Sequence, residues 1–269
     1  MVGPDDRGFW TAPLLDPSTA DRLRQAFEDL HVDPDHPRYI SVVHEPREQG
    51  AAIDRLLREA VEPLVADVLP GYRPFLALFL YKGANGGEEV EFHQDWTYTD
   101  ERHHRVVTAW VPLVDVDERN GAMQMVPGSH RWAPGLRPSN AVDRDEPTVP
   151  HQDAFRARAQ TVRLRAGEAV FYDPGIVHGT PPNETPHGRL AFGVHLAPPG
   201  AQVVHARRDE QGALDVVAIP EGTYYMDAYR SEQDHLVHLA PWDRAVEAED
   251  FESALAAATR PAAPQHTER

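Results

Sequence analysis

The chain contains no cysteine. Structural disulfides, thiolate metal sites and cysteine nucleophiles are therefore excluded, and His, Asp and Glu remain as the strong metal ligands. No apolar run approaches the roughly 18 residues of a membrane span. The opening MVGPDDRGFW has neither a basic n-region nor an apolar h-region, so it does not read as a secretory leader. The expectation is a soluble cytoplasmic protein with no membrane partner. Basic residues are scarce as well: 26 Lys and Arg stand against 43 Asp and Glu, a net charge of −17. An acidic chain repels phosphate backbones, which speaks against a nucleic-acid partner.

What is present suffices for a sizeable core. With 269 residues, 41% of them hydrophobic, the chain can form one large domain or two small ones, and all-β barrels and sandwiches of this length commonly form one. No internal repeat or linker is visible. Residues 1–257 are read as one domain, with a helical support over 1–71 and a β core over 72–220. Residues 258–269 are read as a flexible tail.

Residues 16–30 read as a helix: Asp16 can cap it, Pro17 suits the first turn, and Leu23, Phe27 and Leu30 share one face. Residues 51–69 carry apolar side chains at helical spacing from Ile53 to Val68. Pro63 is expected to kink or split that helix, and Gly71 to end it. The texture then turns to β. Strands are expected at 74–82, 105–113, 122–126, 161–165, 169–173 and 189–197, each bounded by Gly, Pro, Asn or Asp. Short strands after N-terminal helices suggest a mainly β, jelly-roll barrel. Residues 133–158 are polar and Pro-rich without periodicity and read as a loop that serves as a lid or binding insert.

Within this frame stands the triplet His93-Gln94-Asp95. On a strand, residues i and i+2 share a face, so His93 and Asp95 present an imidazole and a carboxylate together while Gln94 points away. A third ligand must come from elsewhere, and His103, His104, His130, His151, His187 and His195 are all candidates. His178 is preferred. It ends AVFYDPGIVHGT, just past a strand and a Pro-Gly turn, where backbone can approach closely. Two imidazoles and one carboxylate make the facial triad that holds non-haem Fe(II) with open positions. Arg189, eleven residues past His178, opens a strand that can return past the metal. Its guanidinium can meet a dicarboxylate bidentately, with the Thr180 hydroxyl adding a hydrogen bond.

The segments EFHQDWTYTD (91–100), TAWVPLVDVDERNGAMQMVPGSHRW (108–132) and YDPGIVHGTPPNETPHGRLAFGVHL (172–196) resemble the phytanoyl-CoA dioxygenase family of Fe(II)/2-oxoglutarate-dependent oxygenases. The resemblance covers roughly residues 72–197. It implies a double-stranded β-helix (jelly roll) with supporting N-terminal helices, with iron on His93, Asp95 and His178. It also implies that the distal carboxylate of 2-oxoglutarate lies on Arg189 and Thr180, that Trp110 lines the co-substrate pocket, that Gln94 lies near 2-oxoglutarate, and that O2 is the second co-substrate. Lys82 lies in a family-like strand-to-loop segment and reads equally as a solvated strand-end lysine. Related halogenases lack the carboxylate, so Asp95 favours hydroxylation.

The implied activity is hydroxylation of an unactivated C–H bond of a small molecule, with release of succinate and CO2. Desaturation, epimerisation or cyclisation on the same cofactors stands beside it. Further off are a metal-binding jelly-roll isomerase that uses no O2 and a catalytically silent binding module. Trp96 and Tyr98 directly follow the metal motif and can wall the substrate; Tyr224, Tyr225 and Tyr229 can close the pocket from the C-terminal side. No basic cluster suited to a CoA 3′-phosphate is visible, and with 26 basic against 43 acidic residues the chain favours a small molecule of bacterial secondary metabolism; the high Ala, Arg and Pro usage fits a GC-rich bacterial genome.

Overall fold

The computed structural model describes residues 7–132, 136–139, 148–208, 213–230 and 237–241. Strand β1 (Phe9–Pro13) precedes helix α1 (Pro17–Glu28). Asp16 caps α1 as expected, accepting from Thr19 N at 3.0 Å, and Leu23 and Phe27 are buried. Next come β2 (Tyr39–Ile40), the short α2 (Ser41–His44) and the long α3 (Arg47–Val68). The stretch expected to be a helical support therefore also supplies two strands.

Helix α3 runs unbroken through Pro63, contrary to the expected break. Pro63 lies on the exposed side, where the carbonyl it leaves without an N–H partner can reach water. Leu57, Val61 and Val65 on the other side are fully buried. That packing offsets the roughly 3 kcal/mol an internal proline costs.

The remaining strands are β3 (Arg73–Lys82), β4 (Val90–His93), β5 (Val107–Pro112), β6 (Gln124–Met125), β7 (Gln160–Thr161), β8 (Glu168–Tyr172), β9 (His178–Thr180), β10 (Arg189–Ala197), β11 (Val204–Arg208), β12 (Leu214–Ala218) and β13 (Val237–Leu239). They form a six-stranded sheet in the order β1-β8-β5-β10-β3-β2, a four-stranded sheet β4-β9-β6-β7 and a three-stranded sheet β11-β12-β13. All the pairings are antiparallel. The expected strand at 161–165 is only Gln160–Thr161, followed by a single bridge from Leu164 to Val116. The insert at 133–158 is not all loop, for α4 (Gln152–Arg158) occupies its end and buries Phe155. Residues 133–135, 140–147 and the tail 258–269 lie outside the described residues.

Strand β10 is the axis of the six-stranded sheet and is buried at every residue. Leu190, Phe192, Val194 and Leu196 pack into one cluster with Leu23, Phe27, Leu57, Val61 and Val65 of the helices. The alternate residues face the four-stranded sheet. Trp110 of β5 shares a second cluster with Met125 of β6 and Val170 and Tyr172 of β8, so side chains of both sheets meet there. Helix α5 (Tyr225–Arg230) packs beside this sandwich, its Tyr225 and Met226 buried with Phe75, Leu76 and Tyr98. Among the described residues no helix is long and apolar enough to cross a membrane.

Asp54 of α3 ties the helix layer to the sheet. Its buried carboxylate accepts from Ala77 N of β3 at 2.7 Å and from Arg58 Nε at 2.9 Å. Removing the acceptor strands a buried N–H, which costs about 1–3 kcal/mol. Asp54→Ala is therefore expected to lower the urea midpoint at unchanged slope. An unshifted midpoint would refute this tether.

Candidate metal and co-substrate site

Strands β4 and β9 are antiparallel neighbours, and their register sets His93 opposite His178. The two rings lie 4.4 Å apart between centroids. Gly179 makes this approach possible: a Cβ there would fall 2.8 Å from Val90 O. Asp95 lies two residues past the end of β4, and its Oδ1 stands 3.7 Å from His178 Nε2. One ligand atom from each of His93, Asp95 and His178 lies within 4.8 Å of the others, the one such group among the described residues. None of the other candidate histidines joins it.

Each imidazole is oriented by backbone. His93 Nδ1 donates to Glu91 O at 2.8 Å, and His178 Nδ1 to Ile176 O at 3.0 Å. In the neutral ring this directs the Nε2 lone pair toward a metal, the arrangement that fixes tautomer and ring direction in metal sites. Asp95 is held more heavily. Its N–H donates to Pro174 O at 2.9 Å, its carbonyl accepts from Arg137 Nε at 2.6 Å, and Thr108 Oγ1 donates to Oδ2 at 3.3 Å. The Tyr172 hydroxyl also bonds its carboxylate. Burial alone raises the Asp95 pKa. Positive charge on the neighbouring His178, His195 and His93, when they carry it, and the Tyr172 bond outweigh burial, so the net shift is downward.

His195 is not a ligand but stands behind one. Its Nδ1 is 3.0 Å from Thr108 Oγ1, and its Nε2 is 3.5 Å from the Tyr98 hydroxyl. The bonds are consistent in one direction: Tyr98 donates to His195, His195 to Thr108, and Thr108 to Asp95. Burial lowers the His195 pKa, which suits the neutral ring this chain of bonds requires.

Beside the triad are two buried cations. Arg189 and Lys82 are directly opposite each other on β10 and β3, and they are 3% and 1% exposed. Arg189 lies over the Trp110 ring, 5.3 Å from its centroid. Its Nε and Nη1 are buried and make no hydrogen bond, and neither does Thr180 Oγ1. Burial pulls the Arg189 pKa down to about 10. Lys82 Nζ donates to Thr180 O at 3.0 Å and to Pro181 O at 2.6 Å. Burial, and then the charge of Arg189, pull its pKa down to about 6. The solvated strand-end reading of Lys82 is therefore corrected.

One cavity of about 320 Å³ joins these groups, lined by His93, Asp95, His178, Lys82, Thr180 and Arg189. Trp110, Gln94, Trp96 and Tyr98 also border it. Strand alternation had turned Gln94 away, but β4 ends at His93. Gln94 is buried, with Nε2 hydrogen-bonded to Gly175 O. Of the C-terminal tyrosines, Tyr224 and Tyr225 pack behind the cavity while Met226 of the same helix lines it. The side chain of Tyr229 lies outside the described residues.

A family model for phytanoyl-CoA dioxygenase matches residues 11–191. The chain belongs to the phytanoyl-CoA dioxygenase family. This is a family of Fe(II)/2-oxoglutarate oxygenases, and the donor set here fits both groups: two imidazoles and a carboxylate for the iron, and the unsatisfied Arg189 guanidinium and Thr180 hydroxyl for a dicarboxylate. Mouse phytanoyl-CoA dioxygenase domain-containing protein 1 is 28% identical over 165 residues, 60% of this chain and 53% of that protein. Ectoine dioxygenase of Bordetella parapertussis is 28% identical over 165 residues, 55% of this chain and 49% of that one. The chain thus spans about half the length of the curated relatives it matches. Two solved structures share the fold. SnoN, a non-haem alpha-ketoglutarate-dependent epimerase from nogalamycin biosynthesis, superposes at TM-score 0.57 and 21% identity over 88% of this chain and 91% of its own. AviO1 of Streptomyces viridochromogenes gives 0.53 and 23% over 75% and 98%.

The sequence reading missed Arg137, Thr108 and Tyr172. Arg137 sits in the polar insert, and no local pattern ties it to Asp95. Strand alternation would have found Thr108, two residues before Trp110 on β5.

Two outcomes are expected. Lys82 has a folded pKa of about 6, against about 10.4 when unfolded. Between these values the unfolded chain holds a proton that the folded one lacks. Stability of the ligand-free protein should therefore rise with pH across that window. Lys82→Met removes the penalty, so its stability advantage over wild type in urea unfolding should shrink from pH 6.5 to 9.5; a constant difference contradicts the buried-lysine account. Arg137 is bidentate to Glu101 and holds the Asp95 carbonyl. Arg137→Ala should weaken Co(II) binding about 10–100-fold, the usual cost of losing an outer support, as read by titration of the cobalt d–d bands.

Proposed function

We propose that the chain is an Fe(II)- and 2-oxoglutarate-dependent dioxygenase that hydroxylates an unactivated C–H bond of a small molecule, releasing succinate and CO2. The observation that carries this is the buried, unpaired guanidinium of Arg189 beside the His93–Asp95–His178 cluster. A buried charge without a partner costs several kcal/mol. A site that keeps one next to a metal-ligand cluster fits a co-substrate that carries the missing carboxylate.

In this reading His93, Asp95 and His178 would hold the metal. Arg189 and Thr180 receive the distal carboxylate, Lys82 adds a second cation, and Trp110 packs against the guanidinium. Gln94 borders the co-substrate, and Trp96 and Tyr98 face the substrate. Iron and 2-oxoglutarate, when bound with O2, supply the oxidising power. The chain's own part is to orient both partners, exclude water through the buried walls and keep Asp95 ionised. Asp95 supplies the carboxylate that related halogenases lack, which favours hydroxylation over halogenation.

The six- and four-stranded sheets are read as the two halves of a double-stranded β-helix within one domain over 1–257. Desaturation, epimerisation or cyclisation would use the same residues; SnoN, of the same fold, is an epimerase. An isomerase without O2 would have no use for an unsatisfied buried guanidinium. The acidic charge balance, with no basic cluster for a CoA phosphate, supports a small-molecule substrate of bacterial secondary metabolism.

Anaerobic addition of Fe(II) and 2-oxoglutarate should produce a charge-transfer band in the visible range. His178→Ala should abolish it. Arg189→Ala should raise the 2-oxoglutarate Kd at least about thirtyfold, since removing one side of a buried charge pair costs about 2 kcal/mol or more. A wild-type protein that binds iron but gives no 2-oxoglutarate-dependent band would sink the proposal.

A further inference from the structure

One stretch of the cavity wall, an apolar arm of its lining, is left unassigned by the metal cluster and the two basic side chains. Leu76, Leu78, Leu80 and Lys82 alternate along β3, and all four line the cavity. On the adjoining β10, Arg189, Gly193 and His195 line it. Register pairs Arg189 with Lys82, Ala191 with Leu80, Gly193 with Leu78, and His195 with Leu76. At about 3.3 Å per residue these rows run about 20 Å from the cations to Leu76. Along β3 polarity falls from a lysine to three leucines, while on β10 the far end is His195, whose ring nitrogens are engaged by Thr108 and Tyr98. Val42, Met226, Trp96 and Tyr98 complete the walls. Apart from Asp95 and the two cations, the charged side chain of the lining is Arg38, which is 39% exposed and lies 3.4 Å from Glu88. It therefore belongs to the rim.

Gly193 sets the depth of this arm. It lies between Leu78 on one neighbouring strand and Trp110 on the other. Its φ is not in the left-handed region, so the backbone does not require glycine. A Cβ added there would meet only Leu80 Cδ1 at 3.7 Å and Leu78 Cδ2 at 3.8 Å, which is ordinary contact. Within a strand, glycine weakens packing and marks a place where something approaches the backbone closely. In a strand otherwise buried at every residue, the missing side chain leaves room for a ligand.

We propose that this leucine-lined arm binds an uncharged, apolar part of the substrate, an alkyl chain or a ring face, and that Gly193 is its specificity-determining floor. The assignment rests on the proposed oxygenase reading for which end of the cavity holds the co-substrate. Charged substrate groups are confined to the rim at Arg38. The arm would give affinity through apolar burial and hold one C–H bond of the substrate toward the metal cluster.

The test uses the full chain loaded anaerobically with Fe(II) and 2-oxoglutarate, and N-phenyl-1-naphthylamine as an uncharged apolar fluorophore. Wild type should enhance its fluorescence saturably. Gly193→Val should bind it at least tenfold more weakly while circular dichroism and the charge-transfer band are retained. Gly193→Ala, one methyl larger than glycine, should fall between the two, and it decides the matter if the valine variant does not fold. A wild type that fails to bind the fluorophore, or Val and Ala variants that bind it as tightly as wild type, overturns the proposal. If the charge-transfer band is missing in wild type while fluorophore binding remains sensitive to Gly193, the apolar arm stands and the oxygenase reading fails.

Discussion

The structure turns on two basic side chains buried side by side. Lys82 and Arg189 face each other across adjacent strands, both almost fully covered. Among the described residues no carboxylate is paired with Arg189, and burial is the sole cause of its lowered pKa. A fold would gain stability by replacing either with an apolar side chain, because an unpaired buried charge is among the most expensive features a core can carry. The chain absorbs that cost in two ways. Lys82 gives up its proton near neutral pH, and a neutral amine's two N–H groups match its two carbonyl acceptors, Thr180 O and Pro181 O. Arg189 keeps its charge and rests on the face of Trp110. Neither device satisfies Nε and Nη1 of the guanidinium. The deficit is local and directional, and it lies at the edge of the metal-ligand cluster.

The cluster itself is held mostly by backbone. Both histidines take their ring direction from carbonyls two residues away, so their geometry is set by local chain path rather than by distant side chains. Asp95 lies past the end of its strand and has no ladder to hold it. Its supports come from far along the chain: Pro174 before β9, Thr108 on β5, Tyr172 on β8 and Arg137 in the insert. The ligand with the least secondary structure has the most tertiary restraint, as expected where a carboxylate must be fixed without a strand to fix it.

Much of this was legible in the sequence. The apolar periodicities gave the two long N-terminal helices and the central strands, because burial of β10 and of one face of α3 leaves its mark at every turn of the pattern. His93, Asp95, His178, Arg189 and Thr180 were readable from motif order and strand context. Other features were not. Pro63 read as a break, since a proline's local cost is visible in sequence while the packing of Leu57, Val61 and Val65 that offsets it is not. Strand alternation misplaced Gln94 because β4 stops one residue earlier. Arg137 was hidden because its partners lie about 40 residues away, and nothing in a Pro-rich insert announces a long-range contact.

Lys82 shows how position can reverse the meaning of a residue. At the end of a run of apolar residues a lysine ordinarily snorkels to solvent. Here it closes the row Leu76-Leu78-Leu80-Lys82, and all four side chains point into one cavity. The same alternation that buries three leucines commits the lysine to the interior, so its burial follows from the period of the strand and needs no separate cause. Because its proton is largely displaced near neutral pH, anion binding and protonation at this site are linked. An anion placed between Lys82 and Arg189 would favour the charged amine and draw a proton onto it, by the same electrostatics that expel the proton when the site holds only cations. The linkage makes the pair selective for an anion over a neutral molecule of the same shape. A neutral ligand would leave the guanidinium unsatisfied and the lysine uncharged, and the leucines beyond would then be the more favourable place for it to bind.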